Sequence, residues 1–331
     1  MFWQKFKKKR LSYISSLILL GLSIILVGLE WLANDKPIFI NYEHTWHFPV
    51  LKAYPETYFG GTLKTEADYK NPYVQDLITK KDGKIIWPLI RYSYASLDYD
   101  MEAPSPSKPS TRHLLGTDTY GRDLLSYTLY SVRLSLLFGL ILTSFSIIIG
   151  IIAGALQGYF GGWTDLIGQR FLEIWSGLPQ LFILIILAGI IAPSFTSLLL
   201  ILLVFSWTAL VGPVRAEFLK ARNLDYVRAA KALGVSNIMI MLRHILPNAM
   251  VATFTFAPFI LTGSMVALAS LDYLGLGLPI GSASLGEILR QGKENIQAPW
   301  IGLTGFFVMG FVLSLLMFIA EGLRDTFSAS N

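Results

Sequence analysis

Apolar residues along the chain gather into six long stretches that polar segments separate. The stretches cover residues 11–32, 134–156, 174–192, 198–214, 249–271 and 301–320. A helix needs roughly 20 predominantly apolar residues to cross a bilayer core about 30 Å thick. No stretch has a Lys or Arg in its interior, and Glu30, close to one end, is the only carboxylate within them. The pattern therefore predicts an all-α integral membrane protein with six transmembrane helices.

The first stretch follows a cluster of basic residues, so it could instead be a secretory signal. The apolar core of a signal peptide is about 7–15 residues long and ends at a small-residue cleavage site. This run is longer and ends without a clear site of that kind. Trp31 at its end suits the membrane interface. We expect an uncleaved anchor helix.

The distribution of Lys and Arg predicts how the helices are oriented. Five Lys and Arg residues precede the first stretch, which places the N-terminus in the cytoplasm. Six crossings return the C-terminus to the same side. Segment 215–248, predicted inside, holds six Lys and Arg, whereas segment 272–300, predicted outside, holds two. We expect a multi-pass membrane protein with both termini in the cytoplasm.

Residues 36–112 form a segment of a different kind between the first and second stretches. It is rich in Tyr, Trp, Pro and charged residues, and it has no apolar run long enough to cross a membrane. We expect a large extracytoplasmic insert that folds as a small cap and ends in an extended linker over 103–110. It is either a bulky loop or a docking surface for an external partner or substrate. The predicted domains are residues 1–35, 36–112 and 113–325.

A compact polar motif precedes the second stretch. Its members are Gly116, Thr117, Asp118, Gly121, Arg122 and Asp123. Thr117 or Asp118 can cap a helix that starts near Tyr120, and Asp123 favours its first turn through the helix dipole. Asp118, Arg122 and Asp123 can form a local cluster of ion pairs. These properties favour a structural role.

The segment at about 215–248 predicts two short helices that meet at a glycine. Asp225 can cap the first helix, and Gly234 fits its C-terminal end. The second helix starts from Ser236 and is expected to stop before Pro247. Such a pair forms a compact cytoplasmic knob whose small Ala residues allow a partner surface to approach closely. The alternative is a solvated basic loop, against which the ordered helix ends argue.

Composition and missing signatures exclude several functional classes. Charged residues are 15% of the chain, against about 25% in soluble proteins. The net charge of +5 mainly marks orientation, so it does not indicate nucleic acid. The chain has no Cys and no phosphate-binding loop, and its four His residues do not form a metal-ligand cluster. We expect a non-catalytic subunit with no cofactor or metal of its own.

Carboxylates at the ends of the stretches bear on the energy source. Glu173, Asp272 and Glu321 lie at or near span ends, and the span interiors have almost no ionisable residues. A proton-coupled secondary transporter usually needs an ionisable relay inside the membrane. The pattern is more typical of a membrane subunit whose energy comes from another protein.

The segment after the fourth stretch resembles a known family. Ala229, Ala230, Gly234, Leu246 and Pro247 resemble the EAA loop of ABC importer permeases. Arg228 and His244 depart from that loop, since the family usually has Glu and Ile at those places. This form of the loop is similar to the oligopeptide, dipeptide and nickel branch of the family.

Two further motifs are similar to the same branch. The polar motif at 116–123 resembles the segment that enters the second span of its C-type subunits. Residues 271–277 resemble the LSFLGLG stretch after the fifth span, with Asp272 and Tyr273 in place of the usual pair. The enlarged insert resembles that of the microcin C and oligopeptide-type permease.

The resemblance implies a fold, partners and a cargo class. It implies a five-helix type I ABC importer core behind the anchor helix, with a coupling loop formed by Asp225, Arg228, Ala229, Ala230, Gly234, His244, Leu246 and Pro247. The implied partners are a second homologous permease, two ATPase subunits or one fused ATPase that bind ATP and Mg, an extracytoplasmic substrate-binding protein and membrane lipid. The implied location is the bacterial inner membrane, and the implied cargo is a peptide or peptide-like compound. Dipeptide or nickel transport is the main alternative, and a self-contained secondary transporter or a membrane-embedded enzyme are rivals from other classes. No substrate-contacting residue is assigned.

Overall fold

Helices dominate the computed structural model, which describes residues 2–81, 83–99 and 104–328. The first part of the chain contains helices α1 (Phe2–Lys8), α2 (Arg10–Val27), α3 (Leu29–Leu32) and α4 (Pro72–Thr79) and strands β1 (Phe39–Tyr42), β2 (Thr45–His47) and β3 (Lys84–Ile86). The remainder contains α5 (Leu124–Phe160), α6 (Gly162–Ser176), α7 (Gln180–Ile190), α8 (Phe195–Ser206), α9 (Thr208–Ala221), α10 (Asp225–Ala232), α11 (Asn237–Met239), α12 (Leu246–Tyr273), α13 (Leu285–Glu294) and α14 (Pro299–Ser328). A 3-10 turn spans Glu56–Phe59, and a π-helical segment spans Ile240–Ile245.

Four helices are long and apolar enough to cross a membrane by themselves. These are α2, α5, α12 and α14. Two bent pairs also qualify if each pair is one span: α6 with α7, bent by 73°, and α8 with α9, bent by 41°. The described residues therefore contain between four and six candidate spans, and the predicted six is the upper limit of that range.

The third stretch is not the single straight helix that its apolar run predicts. Residues 177–179 separate α6 from α7, and Pro179 directly precedes α7. A proline disfavours helical backbone in the residue before it, so the helix breaks at this point although hydrophobicity continues across it. Apolar content alone does not show such a break.

The described residues divide into two compact units. The first comprises the described parts of Met1–Leu20, Leu134–Ile280 and Met309–Asn331. Its core includes buried Leu210 and Phe218 of α9 and Ala249 of α12. Glycines of α5 allow that helix to approach α9, since a Cβ atom built on Gly154 would lie 2.7 Å from the Val211 carbonyl oxygen. The close packing of α5 on α9 therefore depends on glycine at this position, where any side chain would clash.

The second unit comprises the described parts of Gly21–Arg133 and Gly281–Val308 and contains a small sheet. The strand order is β2-β1-β3 with both pairings antiparallel, and Ile40 lies opposite His47 on one side and Ile85 on the other. Ile40 and Tyr42 point from alternate positions of β1 into a core that also holds Phe59 and Tyr69. The prediction of an all-α protein is thus too narrow, because the insert has strands. Each strand has only three or four residues, which is too short for an alternating hydrophobic pattern to be recognised in the sequence.

Linker residues 104–110 have no helix or strand, and residue 103 of the predicted linker lies outside the described residues. The polar motif at 116–123 follows them, directly before α5.

Candidate functional site

The segment at 225–247, called the helix pair below, begins with α10. Its N-cap residue is Leu224, and no side chain caps the helix. The prediction that Asp225 caps it is therefore wrong, because Asp225 is the first residue inside the helix. A carboxylate in the first turn still interacts favourably with the helix dipole. Val227 and Ala230 face the core of the first unit, whereas Arg228 and Ala229 are exposed.

Gly234 ends α10 as predicted. Its φ of +77° is in the left-handed region, where an L side chain is strained. The Gly234 N–H donates to the Lys231 carbonyl and the Val235 N–H to the Ala230 carbonyl, both at 3.1 Å. This pair of hydrogen bonds is the Schellman arrangement that reverses the chain after a helix.

The second half of the helix pair differs from the prediction. Ser236 accepts a hydrogen bond from the Met239 N–H at 3.4 Å, which starts α11. The chain continues through the π-helical segment into α12, and Pro247 lies in the first turn of α12. The expected stop before Pro247 is therefore wrong. A proline is tolerated in the first turn of a helix, where its missing N–H would have had no partner in that helix.

Large apolar side chains are exposed on the helix pair. Leu233 is 83% exposed, Ile238 70% and Leu242 59%. His244 and Leu246 are half-buried, and Gly234 and Pro247 are exposed. Several large apolar side chains left exposed on one short segment are typical of an interaction surface.

A second candidate site is the polar motif before α5. Asp118 and Arg122 form an ion pair there as predicted, but Asp123, the third member of the predicted cluster, pairs with His113 instead. The Arg122 Nε lies 2.7 Å and its Nη2 2.6 Å from Asp118 Oδ2, and both residues are buried. Asp118 Oδ1 accepts the N–H groups of Tyr120 and Arg122, each at 2.9 Å. Burial lowers the pKa of Arg122, but Asp118 and Tyr127 outweigh it and the pKa is raised. Both carboxylate oxygens of Asp118 thus hold the Arg122 side chain and the turn that precedes α5.

The cap of α5 lies later than predicted. Asp123 Oδ1 accepts the Ser126 N–H at 2.7 Å, and α5 begins at Leu124 rather than near Tyr120. Neither Thr117 nor Asp118 caps this helix, and the Thr117 hydroxyl instead accepts the Ser107 N–H at 2.8 Å. Gly121, with φ of +85°, turns the chain before the helix begins.

Gly116, another member of the motif, lies in close contact with residues from other parts of the chain. Its φ is +79°, and a Cβ atom there would lie 2.6 Å from the Ser107 carbonyl and 2.9 Å from the Trp300 indole nitrogen. That nitrogen donates to the Thr117 carbonyl at 3.2 Å. Only glycine fits this point.

His113 connects the motif to the insert, a contact that sequence analysis did not predict. Its Nδ1 lies 2.8 Å from Asp123 Oδ2 and its Nε2 3.0 Å from Asp98 Oδ2. Arg112 contacts Asp98 Oδ1 at 2.9 Å, and Tyr92 donates to Asp98 Oδ2 at 3.1 Å. Burial lowers the pKa of His113, but hydrogen bonds to Asp123 and Asp98 outweigh it and raise the pKa above its ordinary value. No regular element links these residues, so no periodicity could have paired them.

Asp272, in the third motif, ends α12. Its Oδ1 accepts the Leu278 N–H at 2.7 Å, which closes the turn after the helix. Among the described residues, no group of three or more His, Asp and Glu side chains is arranged to hold a metal ion.

Comparisons with known proteins agree with one another. The model of a family described as binding-protein-dependent transport system inner membrane component matches residues 146–330. The chain is 51% identical to the inner membrane ABC transporter permease protein YejE of Escherichia coli (strain K12), over 99% of this chain and 96% of that protein. It is 50% identical to the peptidoglycan transport system permease protein YejE of Agrobacterium fabrum, over 98% and 91%. It is 34% identical to the oligopeptide transport system permease protein OppC of Haemophilus influenzae, over 71% and 75%.

Proposed function

This chain belongs to the family of binding-protein-dependent transport system inner membrane components, and from that premise we propose that it is a peptide permease subunit. Membership makes it a multi-pass inner-membrane component of an ABC importer, in which a separate subunit hydrolyses ATP. The importer also has another permease and a substrate-binding protein. The observation that carries the proposal is the identity of about half of all residues to two permease proteins over nearly the whole chain.

The proposed cargo is a peptide or peptide-like compound. One relative is named for peptidoglycan transport and another for oligopeptide transport. Within that class we place the chain in the oligopeptide branch, close to the microcin C type, on the size of its insert and the form of its three motifs. Dipeptide or nickel cargo is the alternative within the family.

The helix pair is the proposed contact with the ATPase. Three features support this role: the Schellman turn at Gly234, the exposed apolar side chains of Leu233, Ile238 and Leu242, and the excess of Lys and Arg in the surrounding segment. The apolar side chains would enter a cleft of the partner. ATP and Mg would be bound in that partner, and this chain would hold neither.

The loop residues divide by their positions in the helix pair. Arg228, Ala229, Gly234 and Pro247 are exposed and so can touch the partner, as can Asp225 at the start of α10. Buried Ala230 and half-buried His244 and Leu246 would instead hold the helix pair against the rest of the first unit.

The proposed organisation has three parts. Residues 1–35 carry a cytoplasmic N-terminus and the anchor helix, 36–112 an extracytoplasmic insert, and 113–325 the transport domain. The motif at 116–123 fixes the start of α5 within the second unit through the Asp118–Arg122 pair and the Asp123 cap. Both termini lie in the cytoplasm in this organisation.

A co-purification experiment tests the proposal. The tagged chain is solubilised in detergent, its partners are identified, and the recovered complex is reconstituted into liposomes for uptake of a labelled tripeptide. We expect an ATPase and a second permease to co-purify, and uptake to require ATP and the substrate-binding protein. Uptake by the chain without any ATPase, driven by a proton gradient, would overturn the proposal.

A further inference from the structure

The second compact unit contains a cavity of about 1220 Å³. Its lining comes from the segment between residues 35 and 125, and all of that segment lies within the one unit. Small-molecule sites are usually cavities of about 300–1,000 Å³ with a few placed polar groups. This cavity is large enough for a ligand of several residues.

Four of the charged side chains that line the cavity form two ion pairs with one another. Lys36 contacts Glu66 at 2.5 Å, and Arg112 contacts Asp98 at 2.9 Å. These pairs leave little net charge to attract a ligand.

Lys70 also lines the cavity but belongs to neither of these ion pairs. Its ammonium lies 4.0 Å from the centre of the Tyr92 ring, and within the described part of the chain it has no ion pair and no hydrogen-bond acceptor. Burial lowers the pKa of Lys70, although the fields of Asp35, Asp98 and Asp68 oppose this effect. A half-buried ammonium that lacks an acceptor carries three unused donors. It is suited to bind a carboxylate.

Asp35 presents the opposite charge to the same cavity. Its Oδ2 accepts hydrogen bonds from the Ser96 hydroxyl at 2.9 Å and the Ser93 hydroxyl at 3.4 Å. The neighbouring Lys36 pairs with Glu66 instead, and no cation in the described chain forms an ion pair with Asp35. Since a carboxylate accepts at about four sites, Asp35 has capacity left for an ammonium.

An aromatic wall completes the cavity. Trp87 is half-buried in the lining, and the Arg91 guanidinium lies 5.5 Å from its ring centre. Tyr69 and Tyr92 also contribute to the lining. Such surfaces accept apolar and aromatic side chains with little selectivity among them.

We propose that this cavity binds a short zwitterionic peptide, with its carboxylate on Lys70 and its amino group on Asp35. The proposal rests on the proposed function. It adds a peptide-binding site on the permease itself to the one expected on the substrate-binding protein. A simple anion fits less well, because the negative fields of Asp35, Asp68 and Asp98 act at the Lys70 ammonium and would repel it. A zwitterion meets the charges of Lys70 and Asp35 at once, and the side chains of the peptide would lie against Trp87.

Binding to the purified full-length chain in detergent tests this directly. The probe is trialanine, compared with its N-acetylated and C-amidated forms by calorimetry. We expect trialanine to bind and each blocked form to bind at least tenfold more weakly, because each has lost one of the two charges. Absence of binding, or affinity that does not depend on both termini, overturns the inference.

Two substitutions locate the site, each with a matched control in the same unit. Lys70→Gln should weaken binding of trialanine at least tenfold and leave the C-amidated form unchanged. Asp35→Asn should likewise weaken binding of trialanine at least tenfold and leave binding of the N-acetylated form unchanged. Lys64→Gln and Asp76→Asn change exposed residues that do not line the cavity, and they should leave the affinity unaltered. If all four variants bind alike, the site is not here.

Failure of this inference is distinct from failure of the proposed function. ATP-dependent tripeptide uptake by the reconstituted complex, together with no binding to the isolated permease, removes the cavity site and leaves the permease assignment intact. Uptake that does not need ATP removes the assignment itself.

Discussion

The His113 imidazole and the Asp123 carboxylate lie 2.8 Å apart, and the other oxygen of Asp123 caps α5. One carboxylate thus links a residue that follows the insert to the first turn of a long apolar helix. On the opposite side of the ring, Asp98 lies 3.0 Å from Nε2. A protonated imidazole donates to both carboxylates, whereas a neutral one donates to only one.

The stability of the second unit should decrease as pH rises. The pKa of His113 is higher in the folded chain than its ordinary value of about 6.5. The stabilisation that protonated His113 contributes is therefore fully present below the pKa of the unfolded chain, and it is lost as pH rises through the pKa of the folded chain. The groups that face it are Asp98, Asp123 and the Tyr92 ring at 4.7 Å. Thermal unfolding midpoints in detergent, measured from below pH 6.5 to well above it, check this.

The substitution His113→Gln should remove most of that pH dependence. His44→Asn is the matched control, since His44 is exposed and Asn tolerates its φ of +62°. A pH profile that His113→Gln leaves unchanged would assign the effect to another group.

Asp118→Asn should destabilise the second unit by about 3–5 kcal/mol, because it leaves the buried Arg122 guanidinium without a counter-charge. Lys81→Gln, which breaks the exposed pair with Glu43, should change little, because water screens that pair. Chemical unfolding of the purified variants measures both. Equal losses in the two variants would contradict the importance of burial.

Gly234→Val should reduce the amount of peptide transported per ATP hydrolysed. The φ of +77° makes a β-branched residue strained there by about 1–3 kcal/mol, although the space around the site is open. Gly234→Asn is the control, because Asn adopts the left-handed region more readily. Parallel assays of ATP hydrolysis and uptake in proteoliposomes separate coupling from insertion. Normal uptake by the valine variant would argue against a coupling role for this turn.

Gly154→Ala should weaken the packing of α5 on α9 by about 1–3 kcal/mol, because the new methyl group would meet the Val211 carbonyl at 2.7 Å and Val214 Cβ at 2.9 Å. At Gly263, within α12, a Cβ atom meets nothing within 4 Å. Gly263→Ala should therefore be neutral or slightly stabilising. The unfolding midpoint of Gly154→Ala in detergent should therefore be lower than that of Gly263→Ala. The reverse order would refute the close approach of α5 to α9.

Local features were predictable where one short segment decides them. The turn at Gly234 depends on a glycine after an Ala-rich helix, and its hydrogen bonds span only a few residues. The Asp118–Arg122 pair is similar, since the two residues are four positions apart. Predictions failed by a few residues where neighbours compete for one role. Asp123 rather than Thr117 or Asp118 caps α5, and Leu224 rather than Asp225 occupies the cap of α10.

The sequence by itself determined the class of this protein, because apolar runs of membrane-spanning length can be solvated only in a bilayer or a large core. It also determined the turn of the helix pair, whose conformation follows from one glycine. Only the tertiary structure decided that the insert contains a sheet and that Asp98, His113 and Asp123 meet. The reason is physical: hydrophobicity reports where residues partition. Short strands and buried charge clusters depend instead on which distant groups come within a few ångströms of one another.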